Sequence, residues 1–187
     1  VQIFTAAGVY VSQFGTAGTS NGEFGYSDAN PIAVGPTGTV YVGDRGNARI
    51  QAFSSTGTYL NQSPYLDGFA GYTGLAPYDI SVNSSGVVYS TVPGVTGGIN
   101  PKIARHNPTL MARGITPQPI PAPTGAAGTP SGFGAISFDA DDDLWIAPLY
   151  RNFVLKFNTT TGAETDRIYA SNPAATSTTD SYAIAAG

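Results

Sequence analysis

A pattern of alternating apolar residues returns along this chain about every fifty residues, and no other feature restricts the fold as much. Three segments align: Asn30–Arg45, Pro77–Val92 and Phe133–Leu149, with a fourth opening at Ser181–Gly187. Ile32, Ile80, Ile136 and Ile184 hold the same place, at spacings of 48, 56 and 48. Val34, Val82, Phe138 and Ala186 follow two residues later. A period of two is that of a strand with one buried face. Turn residues come next (Pro36-Thr37-Gly38, Ser84-Ser85-Gly86, Asp141-Asp142), then a second apolar run at Val40–Val42, Val88–Ser90 and Leu144–Ile146. Two such runs around a short Gly or Asp turn predict an antiparallel hairpin.

The second half of the unit repeats as well. Val1–Ser12 matches Ile50–Asn61, Val154 opens a third copy and Ile103 a divergent fourth, so that Val1, Ile50, Ile103 and Val154 lie 49, 53 and 51 residues apart. Each copy predicts two more strands around a Gly or Pro turn. A single four-stranded sheet cannot bury both faces. Stacking several around an axis does so, which makes the expected fold an all-β propeller of four-stranded antiparallel blades. No helical period longer than a turn competes with it. The 24 glycines and 14 prolines could suggest disorder, but 11 Tyr, 9 Phe and a 41% hydrophobic content supply a core that disordered chains lack.

Laid out along the chain, the units give about three and a half blades: an outer strand pair at 1–15, blades at 30–61, 77–114 and 133–169, and the first strand of a further blade at 182–187. Three connections are Pro/Gly-rich or polar, at 93–101, 115–132 and 172–181, and are expected as surface loops at the propeller faces.

The blade at 30–61 resembles the NHL repeat. Its second strand reads Tyr41-Val42-Gly43-Asp44 and its third Asn47-Ala48-Arg49-Ile50-Gln51-Ala52-Phe53. The first copy keeps Val1-Gln2-Ile3-Phe4 and the last keeps Asn152, Val154 and Phe157, whereas the second blade carries His106 at the Phe position. The resemblance implies a ring that usually has six blades. The chain is then expected to be a fragment of such a ring, with blades completed by another copy, or a small four-bladed ring, as alternatives.

Charge excludes some functions. Net charge is −4 with only 8 Lys and Arg, and no basic run exists, so a nucleic-acid partner is not expected. No apolar run approaches the ~18 residues of a membrane span. There is no cysteine, which removes disulfides, thiolate catalysis and Cys-ligated zinc. The low share of charged residues, 11%, in a Thr/Ser/Asn/Gly/Tyr-rich chain points to an extracellular or cell-surface location.

Candidate chemistry is sparse. Asp139, Asp141 and Asp143 alternate as in the start of a calcium loop, since hard cations take several carboxylate oxygens at short spacing. Leu144 and Tyr150 stand where an EF-hand needs Gly and Glu, so an Asp-rich hairpin turn is the expected reading and calcium the alternative. His106 is the sole histidine. Zinc catalysis usually needs two or three, and amidating lyases that resemble NHL proteins use several, so His106 is expected to be a packed residue. A Ser–His–Asp triad has no G-x-S-x-G elbow to support it. Asp44, Arg45, Asn47 and Arg49 are expected to hold the blade together, with Asp44 and Arg49 as an ion pair, rather than to form an interface.

Asn30, Tyr78, Asp79, Phe133 and Tyr182 open the innermost strands and so fall at one end of the axial channel. Resemblance to six-bladed lactonases implies a ligand-contact role there, where carboxylates and amides hold calcium. Trp145 replaces Tyr41 and Tyr89 and is expected to pack between blades. Tyr65, Phe69 and Tyr72 are candidates for a recognition patch. The function expected from all of this is non-enzymatic binding of protein or glycan through propeller faces and loops, with no cofactor. The alternatives are a calcium-dependent hydrolase or lyase, and a self-assembling subunit.

Overall fold

A computed structural model describes residues 1–26, 30–63, 76–92, 102–108, 133–148 and 153–169. Within them the regular structure is β, apart from one 3-10 turn at Arg45–Asn47. Strands β1 (Gln2–Phe4) and β2 (Tyr10–Gln13) form a hairpin, and β3 (Thr16–Ala17) and β4 (Glu23–Phe24) a short parallel bridge. The first blade follows: β5 (Ile32–Val34), β6 (Val40–Asp44), β7 (Arg49–Phe53) and β8 (Tyr59–Gln62) pair antiparallel in chain order. In the second blade β9 (Ile80–Val82), β10 (Val88–Val92) and β11 (Lys102–His106) do the same. The third blade is complete, with β12 (Phe133–Phe138), β13 (Leu144–Pro148), β14 (Phe153–Phe157) and β15 (Glu164–Tyr169). The connections at 93–101, 115–132 and 172–181, the candidate patch Tyr65, Phe69 and Tyr72, and the strand at 182–187 lie outside the described residues, as does the second blade beyond 108.

The registers show that the repeat is structural. Ile32 faces Val42, Ile80 faces Ser90 and Ile136 faces Ile146. One strand further out, Val40 faces Phe53, Val88 faces His106 and Leu144 faces Phe157. The inner hairpins close alike, with Gly35, Asn83 and Asp139 each donating its amide to the carbonyl four residues on. The turns need a left-handed residue. Gly38 (φ 81°) and Gly86 (φ 80°) supply it, and Asp142 (φ 62°) takes the same place in the third blade.

Alternation then sorts side chains between neighbouring blades. Tyr41, Ile50 and Ala52 of the first blade meet Ile80 and Val88 of the second. Tyr89 and Ile103, on the second blade's other face, meet Ile136, Leu144, Ile146, Leu155 and Phe157 of the third. Burying a residue such as Ile80 or Leu155 is worth about 1.5–3 kcal/mol. Two of the three aromatics at one repeat position reach the next blade: Tyr41 donates its hydroxyl to the Pro108 carbonyl and Tyr89 lies edge-on to Phe138, whereas Trp145, in the same register, donates its indole N–H to Asp139 of its own blade, with the Lys156 ammonium 5.5 Å from its ring centroid.

One expectation fails. The row that begins with Ile32 is not buried: Ile32 and Val34 are 51% and 63% exposed, whereas Ile80 and Ile136 are 4% exposed. The rows of Ile80 and Ile136 each lie under the face of the blade before them. No described blade lies over the row of Ile32.

Candidate functional site

The residues at the start of the inner strands come from two neighbouring blades. Asn30 accepts the Arg45 amide on its Oδ1 (3.1 Å), and the Arg45 guanidinium carbon stands 5.0 Å from the Tyr78 ring centroid of the next blade. Asn30, Arg45 and Tyr78 therefore gather, half-buried, into one amide, cation and aromatic group.

Asp79 is used differently. Its Oδ1 accepts the amide of Ile80 (2.9 Å) and its Oδ2 that of Ile136 (2.8 Å), so the carboxylate clips the second blade to the third. Beside it, Thr91 Oγ1 accepts the Asp79 amide and donates to the Gly134 carbonyl (3.1 Å), a second link between those blades. Burial pushes the Asp79 carboxyl above the usual carboxylate range, and the two amides oppose that rise. Phe133 is fully buried in the apolar cluster between the second and third blades, and Tyr182 lies outside the described residues.

The signature of the first blade is a buried latch. Asp44 and Arg49 form an ion pair at 2.8 Å with both side chains almost fully shielded. Arg49 also donates to the carbonyls of Ser20 and Glu23 and to Gln62. Asn47 donates to Asp44 and to the Gly18 carbonyl, Asp44 accepts the Gly25 amide, and Gln51 accepts the Gly22 amide while donating to the Glu23 carbonyl. These side chains thus satisfy the backbone of the connection over residues 18–25, which would otherwise cover the sheet with unpaired polar groups. At the matching positions the other blades carry Val92, Lys102 and Ala104, or Pro148, Phe153 and Leu155. Gln51 stands in the same strand run as Arg49, and its contacts with residues 22 and 23 and its bond to Asp44 (3.1 Å) reveal its part.

The acidic turn is tied up internally. Asp139 accepts the amides of Asp141 and Asp143 and the Trp145 indole N–H, and Lys156 bridges Asp139 and Asp143 at 3.0 Å each. Desolvation would raise the Asp139 carboxyl, but the hydrogen bonds from Trp145, Lys156 and the two amides prevail and hold it down to about 2. Asp142 reaches across to Ser84, accepting its amide (2.8 Å) and its hydroxyl. Among the described residues no three His, Cys, Asp or Glu side chains converge as a metal site. The partner of Asp139 and Asp143 is an ammonium from the neighbouring strand, a contact that a local Asp-x-Asp-x-Asp pattern cannot show.

His106 occupies the position of Phe53 and Phe157, on a third strand away from the inner-strand ends. Burial pushes its imidazole down to about 4, and its Nε2 lies 3.3 Å from Ser90 Oγ.

Among the described residues no helix is long and apolar enough to cross a membrane. The family model for the NHL repeat matches residues 27–53. No sequence relative was found among curated proteins. Among solved structures, a catalytically inactive histidine-to-alanine variant of virginiamycin B lyase from Staphylococcus aureus, with quinupristin, is similar at a TM-score of 0.54 and 16% identity, covering 94% of this chain and 50% of that one. A streptogramin B lyase gives 0.51 at 16% identity over 94% and 49%. The WD40 repeats of RRP9 give 0.50 at 12% identity over 78% and 40%. The chain thus spans about half the length of the two lyases, and at such identities the likeness is one of fold. The described residues are blades of a β-propeller, and the blade that begins at Asn30 is an NHL repeat.

Proposed function

We propose that this chain is an extracellular, non-enzymatic binding module that contacts a protein or glycan through the propeller end carrying Asn30, Arg45 and Tyr78. What supports the reading is the fate of the carboxylates nearest that end. Asp79 spends both oxygens on backbone amides that join two blades, and Asp44 is sealed in its latch, so neither is offered to a substrate or metal. Asn30, Arg45 and Tyr78 are half-buried, with an amide, a cation and an aromatic ring that suit hydrogen bonding and stacking to a polar partner.

The test combines binding and turnover. Glycan and peptide arrays should report ligands whose binding weakens about tenfold or more on Tyr78→Ala, the loss of one good aromatic contact. The reading fails if the purified protein opens a lactone or cleaves an ester and Asp79→Ala abolishes that turnover.

A lyase or hydrolase is the second reading, favoured by the likeness to virginiamycin B lyase. In that case the reacting groups would come from blades other than those described, and His106, on a third strand in the Phe position, would not be among them. His106→Phe would then leave turnover intact.

A further inference from the structure

An asparagine followed by glycine carries a reaction of its own. The backbone nitrogen of the next residue, once it sheds its proton, attacks the asparagine Cγ. The new N–Cγ bond closes a succinimide ring, and the Cγ–Nδ2 bond breaks as ammonia leaves with that proton. Solvent water then opens the ring at either carbonyl, leaving aspartate or, with the chain rerouted through Cγ, isoaspartate. The step is quickest where the next residue has no side chain to crowd the ring. Asn21-Gly22 is such a pair, and Asn83-Ser84 is a second with a small side chain. Asn30, Asn100, Asn107 and Asn172 precede proline, which has no amide to give.

Asn21 and Ser84 are exposed, so solvent reaches both turns, yet in both pairs the attacking amide is already engaged. Gly22 donates its N–H to Gln51 Oε1 (2.9 Å), and Ser84 donates its N–H to Asp142 Oδ1 (2.8 Å). At the first pair the backbone is pinned on both sides as well. Arg49 donates to the carbonyls of Ser20 (2.8 Å) and Glu23 (2.9 Å), Gln51 Nε2 donates to the Glu23 carbonyl (2.7 Å), and the Glu23 amide closes the turn onto the Ser20 carbonyl (3.1 Å). Gln51 is fully buried and its Nε2 also reaches Asp44 (3.1 Å), which fixes where its acceptor oxygen stands. Ring closure needs the Gly22 nitrogen to lose its proton and to swing toward Asn21 Cγ, and the bond to Gln51 opposes both. We propose that Asn21-Gly22 is a self-modification site that the latch of the first blade keeps silent and that reacts only when the latch opens. The reaction then works as a ratchet. The imide nitrogen has no hydrogen to give back to Gln51, and isoaspartate lengthens the backbone between the two pinned carbonyls by one methylene. A latch that has opened and reacted does not reclose in its old register.

The test ages the purified 187-residue chain in mildly alkaline buffer, folded and in denaturing urea. Peptide mapping by mass spectrometry follows conversion at Asn21 and Asn83, with an isoaspartyl methyltransferase marking isoaspartate. Conversion at Asn21 should be at least about tenfold slower in the folded chain, as for a site reached only through local opening. Gln51→Met, its fold checked by circular dichroism, should speed conversion at Asn21 by about tenfold or more and leave Asn83 slow. Equal rates at Asn21 in the folded and unfolded chain overturn the proposal, as does a folded Gln51→Met chain that ages like the parent. If that variant does not fold, the parent in sub-denaturing urea decides. Conversion at Asn21 and amide hydrogen exchange at Gly22 should then rise with the same urea dependence, and divergence overturns the proposal. In chain aged to isoaspartate, Gly22 should exchange fast without urea; protection equal to that of fresh chain overturns the ratchet.

Discussion

Arg49 is a cation with almost no exposure, and its whole surround is hydrogen-bonding: Asp44, Gln62 and two carbonyls of residues 20 and 23. Removing one partner of such a pair leaves a buried charge without compensation. Arg49→Ala is therefore expected to lower unfolding free energy by about 3–5 kcal/mol, read by urea denaturation. A loss under about 1 kcal/mol would mean that the pair is not desolvated. His106 gives a pH signature. Its imidazole titrates near 4 when folded and near 6.5 when unfolded, so the unfolded chain binds the extra proton in between. The stabilisation is whole above 6.5 and drains away as pH falls from 6.5 to 4, by up to about 3 kcal/mol. His106→Phe, which restores the residue of the other two blades, should flatten that limb. Asp139 adds its own loss lower down, between its ordinary value and about 2. Asp79 works in the opposite direction, because burial disfavours its charged form and the folded chain takes up that proton more readily than the unfolded one.

Among elements, the inner hairpin turn carries the most local information. Asp142 adopts a left-handed conformation where the sister turns use Gly38 and Gly86, and its carboxylate is fastened to Ser84 of the previous blade. Asp142→Gly loses the fastening but gains a relaxed backbone, while Asp142→Ala loses the fastening and keeps the strain. The alanine variant should be the less stable of the two by about 1 kcal/mol. A double-mutant cycle with Ser84→Ala should give a coupling of about 1 kcal/mol; no coupling would show that the contact is idle. The hairpins themselves were legible from alternation and turn residues, because a period of two and a Gly turn are properties of neighbours in sequence. The Ser84–Asp142 clip and the Lys156 bridge were not legible. Both join side chains brought near only by how strands and blades pack, and no spacing rule reaches across that. The latch was half legible: the Asp44–Arg49 pair follows from strands that lie side by side, but the role of Gln51 depends on where residues 18–25 cross the sheet.

At the scale of the molecule, equivalent positions differ by what lies over them. Ile80→Ala should cost about 2–4 kcal/mol, whereas Ile32→Ala should cost under about 1, although the sequence treats the two as copies. Equal losses at both sites would show that the row of Ile32 is covered in solution. Among the described strands the contacts between blades run from the first to the second and from the second to the third, so the middle blade belongs to both apolar clusters. A chain wired in this serial way has no single keystone contact, because each interface holds only the two blades it joins. Pulled from its two termini, such an arrangement should yield in separate force peaks, the end blades peeling first, and a weakened Tyr89 should lower the force at which the third blade leaves the second.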